Sequence, residues 1–522
     1  MRAGYNTNCR LLRGSTDIFQ QFARRRRSCR GNVRCLCLLW HEPKSVLTHY
    51  RQRGQHSLGG LTLRRNLSIL ILGSCISVLI GLVVAYSVYV DDRLLLLASS
   101  GALAVIALGL TVVDVVLKRF EVHNLKYYFL ASYSLFLGLG GLECILSQEL
   151  AYHKTEVVIK AVFLSYFGLA CFIAGNAMAR RRTLRGWRLL GRDLPREFVG
   201  LYGLAISALG VIGLFSRFEL YGGFLDFAMT PYHLKHSGGL GENIWRFIGR
   251  LYVPGTAFLM YFSLSRAFGR LMRLLGIVGL AVVFTCCAVQ GARGWVLQFC
   301  LVSLCAAYAF SGKKVRRWLT YALPLAGAAA VVFVMQSKFR GNPEAVVELL
   351  TDDLHYGLED VMSNFGAYGH FMMVVEKFPR EYGFTWGASF YNIVANFIPR
   401  EMWAEKPVGF GKFVAGEFYG APEIVSYAST VVGEAYANGS WAGVCLILGA
   451  LGYLARTAYN SVSHGTANVL SLAWYVVLVW PFFFIVRGDM LNAVFPVLGT
   501  YMCMFVILRI LWFLWCVVKR EA

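Results

Sequence analysis

Four arginines stand where apolar runs end. Arg293 lies in the tight link Gln290-Gly-Ala-Arg-Gly294 and Arg487 opens Arg487-Gly-Asp489, while Arg340 and Arg400 flank a long polar stretch as Phe339-Arg-Gly-Asn-Pro343 and Ile398-Pro-Arg-Glu-Met-Trp403. A guanidinium is planar, permanently charged and able to grip phosphate oxygens with two parallel N–H groups, so such a set suits a diphosphate held at a membrane surface. Any one of them could equally reach back to the interface or pair with a carboxylate. A general base must come within about 2.6 to 3.2 Å of the proton-bearing atom it serves. Glu434, between Gly433 and Ala435-Tyr436 at the mouth of an apolar run, is the first candidate, because partial burial there would raise its proton affinity. An ion pair with one of the arginines competes with that role. Asp352, His355 and Glu359, spaced to share one helical face, form a second titratable group that could also be a plain solvated face. Tyr382, Trp386, Tyr391, Trp403, Tyr419 and Tyr436 could stack on sugar rings or form an interfacial aromatic belt. Neither an external Asp-x-Asp nor clustered His and Cys ligands occur, so no metal and no cofactor is expected.

Residues so placed need a scaffold that holds them at a membrane face, and the composition supplies one. Of 522 residues, 57% are hydrophobic and only 15% charged, whereas a soluble domain is about 25% charged. The sequence therefore excludes a soluble globular, a disordered and a collagen-like chain, and predicts an all-α polytopic membrane protein. A bilayer core of about 30 Å needs roughly 20 apolar residues per helix. Runs of that kind near 67–90, 94–117, 127–147, 158–178, 198–215, 250–265, 273–290, 294–311, 318–335, 436–455, 466–486 and 491–518 make about twelve spans.

With the N-terminus inside, the short inner loops and the tail carry twenty Lys and Arg, among them Arg180, Arg181, Arg182, Lys313, Lys314, Lys519 and Arg520; the outer ones carry Arg93, Lys154, Arg293 and Arg487. This bias places both termini in the cytoplasm. Asp114, Glu143, Lys160 and Arg509 all fall near span ends, where an ion-coupled carrier would place such groups at midplane. Segments 216–249 and 336–435 are external and too long to be connectors. Within the second, Leu350, Leu354, Leu358, Met362 and Phe365 recur at helical spacing and predict an amphipathic helix along the interface, followed by an apolar run over Phe371 to Phe378.

The chain thus divides into a leader 1–66, spans one to nine over 67–335, an external functional loop 336–435, and spans ten to twelve over 436–522. The leader holds 14 basic residues, with the run Arg24 to Arg27, against Asp17 and Glu42, which is about half of the net +22. It lacks the apolar core and cleavage site of a signal peptide and reads as a cytoplasmic polybasic arm or a dispensable disordered tail. The remaining basic charge is topological and does not point to nucleic acid. None of the 14 cysteines falls in a predicted external loop, so no disulfide framework is expected.

From Tyr382 to Tyr436 the order of residues resembles a family. Asn396-Phe-Ile-Pro-Arg400-Glu-Met-Trp403-Ala-Glu-Lys406-Pro407 precedes Ser426-x-x-Ser429-Thr430 and then Gly433-Glu434-Ala-Tyr436-Ala-Asn438-Gly439. This resembles the bacterial O-antigen (Wzy-type) polymerases of oligosaccharide repeat units, over roughly 280–490. The resemblance implies a GT-C-like, metal-independent glycosyltransferase of the bacterial inner membrane whose active site faces the periplasm. Its substrate would be an undecaprenyl-diphosphate-linked oligosaccharide, with the growing glycan passed to the nonreducing-end sugar of a new lipid-linked unit. On this reading Glu434, Arg293 and Arg487 are catalytic, and Arg340, Arg400, Lys406, Trp403, Tyr436, Ser429 and His355 bind substrate. Membrane lipids, a chain-length-regulating co-polymerase and a flippase are the prospective partners. An O-antigen ligase shares the donor chemistry, a flippase or other transporter of lipid-linked oligosaccharide shares the substrate, and an inactive membrane anchor is the plainest alternative.

Overall fold

In the computed structural model of the protein, the described residues are 92–117, 119–146, 153–180, 182–184, 194–229, 240–265, 268–290, 293–311, 366–398, 402–403, 405–421, 426–463 and 468–521. The leader, the expected spans at 67–90 and 318–335 and the expected interfacial helix around 350–365 lie outside them. The described part is helical. In chain order it comprises α1 (Asp92–Val116), α2 (Leu125–Tyr133), a π-helical turn (Ser134–Leu139), α3 (Gly140–Leu146), α4 (Thr155–Met178), α5 (Arg196–Glu219), α6 (Phe224–Met229), α7 (Leu240–Gly249) and α8 (Tyr252–Leu264). There follow α9 (Arg270–Val289), α10 (Arg293–Ser311), α11 (Ala367–Lys377), α12 (Ala388–Ala395), α13 (Phe410–Tyr419), α14 (Thr430–Ser463), α15 (Val469–Val476), α16 (Val479–Phe484) and α17 (Met490–Glu521).

Among the described residues, six helices contain stretches long and apolar enough to cross a membrane: Ala98–Val116, Thr155–Met178, Arg196–Glu219, Arg270–Val289, Thr430–Ser463 and Met490–Lys519. Gly294–Phe310 and Val469–Phe484 are shorter apolar helical stretches. Two expected spans are not single helices. The run 127–147 passes through the π-helical turn, where a side chain at Gly138 would stand 2.6 Å from Ala104 Cβ and one at Gly141 2.0 Å from Ser100 Oγ. The wider turn sets both glycines against α1. The run 466–486 breaks between Val476 and Val479. Pro481 lacks an N–H and its ring collides with the carbonyl one turn earlier, which is where the helix parts.

The core axis is the pair α4 and α14. Their backbones touch, since a Cβ at Gly175 would lie 1.9 Å from the Gly449 carbonyl oxygen and one at Gly452 2.0 Å from that of Phe172. Small residues permit this close crossing where no water is present to drive association. Asn176 donates to the Gly452 carbonyl at 3.2 Å, and Phe172 stacks on Phe129 of α2 with ring centroids 3.7 Å apart. At the far end Asn460 donates to the carbonyls of Ala179, Arg180 and Arg182 at 3.1, 3.2 and 2.8 Å, which satisfies the chain leaving α4.

The apolar run Phe371 to Phe378 becomes α11, and it does not lie along a surface. Tyr368, Phe371, Met372, Val374 and Val375 are buried, with Phe371 pressed on Gly433 of α14, and Glu376 takes His153 Nδ1 at 3.1 Å. A stretch read as loop is thus part of the core, because its one strongly apolar face finds α14.

Candidate functional site

Glu434 sits in the first turn and a half of α14, and that short piece is shaped locally. Thr430 enters the helix with φ +62°, its hydroxyl accepting from Gly433 N at 3.1 Å. Its own N–H and that of Val431 donate to the carbonyls of Arg487 and Val486 at 3.3 and 3.2 Å. The helix then breaks at Gly439 and Ser440, where Ser440 takes a left-handed φ of +57°. The residues from Thr430 to Asn438 therefore form a separate platform above the long transmembrane part of α14.

Asn438 locks this platform to α12. Its Oδ1 accepts from Thr385 Oγ1 at 2.9 Å and Gly387 N at 3.0 Å, and its Nδ2 donates to Ser389 Oγ and the Glu434 carbonyl, both at 2.8 Å. Every hydrogen-bonding position of the amide is occupied or shared. Glu434 is 1% exposed. Its Oε2 accepts the Met490 N–H at 2.7 Å, while Oε1 has no hydrogen-bond partner. The Ser389 hydroxyl and the carboxyl of Asp489 both act on it electrostatically.

Asp489 is the second buried carboxyl, 3% exposed. Its Oδ1 accepts from Asn492 N at 2.8 Å, capping the start of α17, and its Oδ2 accepts from Gly411 N at 3.0 Å in the first turn of α13. Burial pushes this carboxyl above its ordinary range, and the two backbone donors offset only part of that rise. Gly411 has no room for a side chain, since a Cβ there would stand 2.4 Å from Ser426 Oγ and 3.0 Å from Asp489 Oδ2. Two carboxyls from α14 and the head of α17 thus meet under α12 and α13, and one carboxyl oxygen is left to take a proton.

Of the expected site residues, Arg487 meets the start of α14 through its backbone. Its carbonyl receives Thr430 N, and its guanidinium carbon lies 5.7 Å from the Phe136 ring centroid. Arg293 is the first residue of α10. Ser429 is fully buried with an unpartnered hydroxyl. Tyr436 is 2% exposed; its hydroxyl donates to the Phe378 carbonyl at 3.3 Å and its ring lies 4.7 Å from Lys160 Nζ. It packs in the core. Lys406 Nζ donates to Asn396 Oδ1 at 3.3 Å and the Ile398 carbonyl at 2.8 Å, closing its own loop. Trp403 is half-buried, edge-on to Tyr391 with centroids 6.3 Å apart. Arg340, Arg400 and His355, with the Asp352 and Glu359 face, lie outside the described residues.

Asp489, Asn438 and Ser389 carry no role in the sequence reading. Asp489 had a usable signal, an acidic residue directly before an apolar helix, which is the N-cap pattern. Asn438 stood in the motif that carries the resemblance but without a role, and Ser389 had no signal, since their partners lie 49 to 53 residues away. Among the described residues no three His, Cys, Asp or Glu side chains converge as a metal site. A family model described as O-antigen polysaccharide polymerase Wzy matches residues 251–521. No match was found among curated proteins or solved structures.

Proposed function

The chain belongs to the O-antigen polysaccharide polymerase Wzy family, and from that premise we propose that it joins undecaprenyl-diphosphate-linked oligosaccharide units at the periplasmic face of the inner membrane. Both termini are cytoplasmic on this reading, and the carboxyl pair faces outward. The acceptor is the nonreducing-end sugar of a new lipid-linked unit, and the donor is the growing chain on its own lipid diphosphate.

The observation that carries the proposal is the buried Glu434 carboxyl, whose Oε1 has no hydrogen-bond partner. The acceptor hydroxyl oxygen bonds to the donor's anomeric carbon as the carbon–oxygen bond to the diphosphate breaks, and the hydroxyl proton passes to Glu434. Charge gathers on the departing diphosphate, where Arg487 and Arg293 offset it without a metal ion. The Met490 N–H holds Oε2 of the Glu434 carboxyl in place. Arg340, Arg400, Lys406, Trp403, Ser429, Tyr436 and His355 complete the substrate path in this proposal, Lys406 by shaping the 396–406 loop and Tyr436 by supporting the platform. A chain-length-regulating co-polymerase and a flippase are its working partners.

Glu434→Gln keeps the shape of the site and removes the proton acceptor. It should leave surface glycan with a single repeat and no ladder, at a protein level matching wild type. A normal ladder from that variant means the base lies elsewhere.

A further inference from the structure

Helix α12 is amphipathic in the wrong sense for water. Ser389 and Asn392 face inward and are buried, whereas Tyr391 and Val394 point out, Val394 being 65% exposed. The turn before the helix and the chain after it continue this apolar outside: Trp386 and Met402 are each 80% exposed, and Phe397 and Ile398 are exposed as well. No charged residue occurs between Glu381 and Arg400. The next helix, α13, runs the ordinary way, with Phe410, Val414 and Ala415 buried and Lys412, Gly416 and Glu417 outside. Two consecutive helices thus present opposite surfaces, one that water solvates and one that it does not.

The inward polar groups of this segment find partners within the protein. Ser389 Oγ accepts from Asn438 Nδ2 at 2.8 Å, and Asn392 Nδ2 donates to the Val408 carbonyl at 2.7 Å. In the turn ahead of α12, Thr385 N donates to the Ala437 carbonyl at 2.9 Å and Gly387 N to Asn438 Oδ1 at 3.0 Å. Backbone that is not helical is tolerated at membrane depth only when its groups are paired inside the protein. The same turn holds Trp386 at φ +46° and Gly387 at φ +92°, a left-handed setting that a bulky residue rarely takes, and its effect is to turn the indole outward. Phe397 meets Phe495 of α17 with ring centroids 4.7 Å apart. By helical spacing, the exposed Leu498, Met502 and Phe505 share the Phe495 face of that spanning helix, so the apolar outside of α12 continues along it.

We propose that residues 386–398, with Met402, form a lipid-contacting surface embedded in the leaflet on the Glu434 side, and that its occupant is the hydrocarbon of the bilayer. Eight helical residues rise about 12 Å, well short of a hydrocarbon core of roughly 30 Å, so α12 lies within one leaflet and does not cross it. Trp386, Tyr391 and Trp403 supply the amphipathic rings that favour the membrane–water boundary. Part of the stretch expected from the sequence to be an external loop is then a membrane element. The surface does not rest on the proposed function, but what it adds to that reading does: Asn438 joins Ser389 of α12 to the Glu434 carbonyl, so Glu434 stands directly behind a lipid-covered wall, at the depth where a lipid-linked diphosphate presents its sugar.

The test is photocrosslinking from the full-length protein in vesicles of palmitoyl-oleoyl phosphatidylglycerol. The photoreactive residue p-benzoylphenylalanine is placed at Tyr391 or at Val394, and at Gly416 on the polar face of α13 as the control. Intact-mass spectra after irradiation should show a lipid adduct at least tenfold more abundant from positions 391 and 394 than from 416, and fragmentation should place it on an acyl chain. Wild-type elution on size exclusion identifies the folded variants, and either of the two lipid-side positions suffices if the other misfolds. Adduct no more abundant than at 416, or confined to the headgroup, overturns the proposal. A crosslinked dimer in place of the lipid adduct also overturns it, because the face then belongs to a second copy of the chain. A protein that gives the acyl-chain adduct but makes no glycan ladder in cells leaves the surface standing and removes the polymerase reading.

Discussion

Glu434 and Asp489 divide one task between them. Glu434 keeps a free oxygen and can take a proton; Asp489 has both oxygens engaged and instead ties α13 to α17. Their substitutions should therefore differ. Asp489→Asn retains one acceptor oxygen and should lose part of the activity through misplacement of Met490 N on Glu434, with little effect on folding. Asp489→Ala strands two buried N–H groups at about 1–3 kcal/mol each and should also lower the unfolding temperature of the purified protein. If Asp489→Ala unfolds with the wild type while activity falls, Asp489 acts on the reaction and not on the frame. Gly411 belongs to the same unit: with Ser426 and Asp489 against it, Gly411→Val should reproduce the Asp489→Ala loss. The glutamate was visible in the sequence because it stands at a span mouth. The aspartate lacked a role because its second partner, Gly411, is 78 residues distant.

Among the elements, the crossing of α4 and α14 fixes where the Glu434 platform stands. Gly175 and Gly452 let the two backbones meet, and each faces a carbonyl oxygen closer than any Cβ can lie. Gly452→Leu should separate the helices, at a cost above the roughly 1–3 kcal/mol of ordinary overpacking because backbone must shift; low yield or early aggregation of the purified variant would register it. Gly416→Ala, where nothing stands within 4 Å, is the control and should behave as wild type. A Gly452→Leu protein that is as stable and active as wild type contradicts the tight crossing. Some span positions were readable from apolar length, as at 158–178 and 273–290, which became α4 and α9. The breaks were not: neither the π-helical turn at Ser134 nor the Gly439–Ser440 kink interrupts the apolar pattern. The burial of α11 was missed for a related reason, since a helix of eleven residues is too short for a span and its partner α14 cannot be read locally.

For the whole molecule, composition and family membership agree on a multi-pass membrane protein of the repeat-unit polymerase kind. The large positive charge of the chain separates into parts with different meanings. The leader holds about half of it, and removal of residues 1–60 should leave insertion and glycan length unchanged; loss of membrane insertion on that deletion would show the arm to be a working part. The arginines that the sequence singles out for function are few. What remains to separate is polymerase from ligase and from lipid-linked sugar transporter, and one gel does this. Surface and lipid-linked glycan from a strain lacking the gene, complemented with the wild type or with Glu434→Gln, should show a full ladder with the first and core plus one repeat unit with the second. Bare core with polymer still on the carrier lipid, or unpolymerised units confined to the cytoplasmic side, would contradict a polymerase built around Glu434.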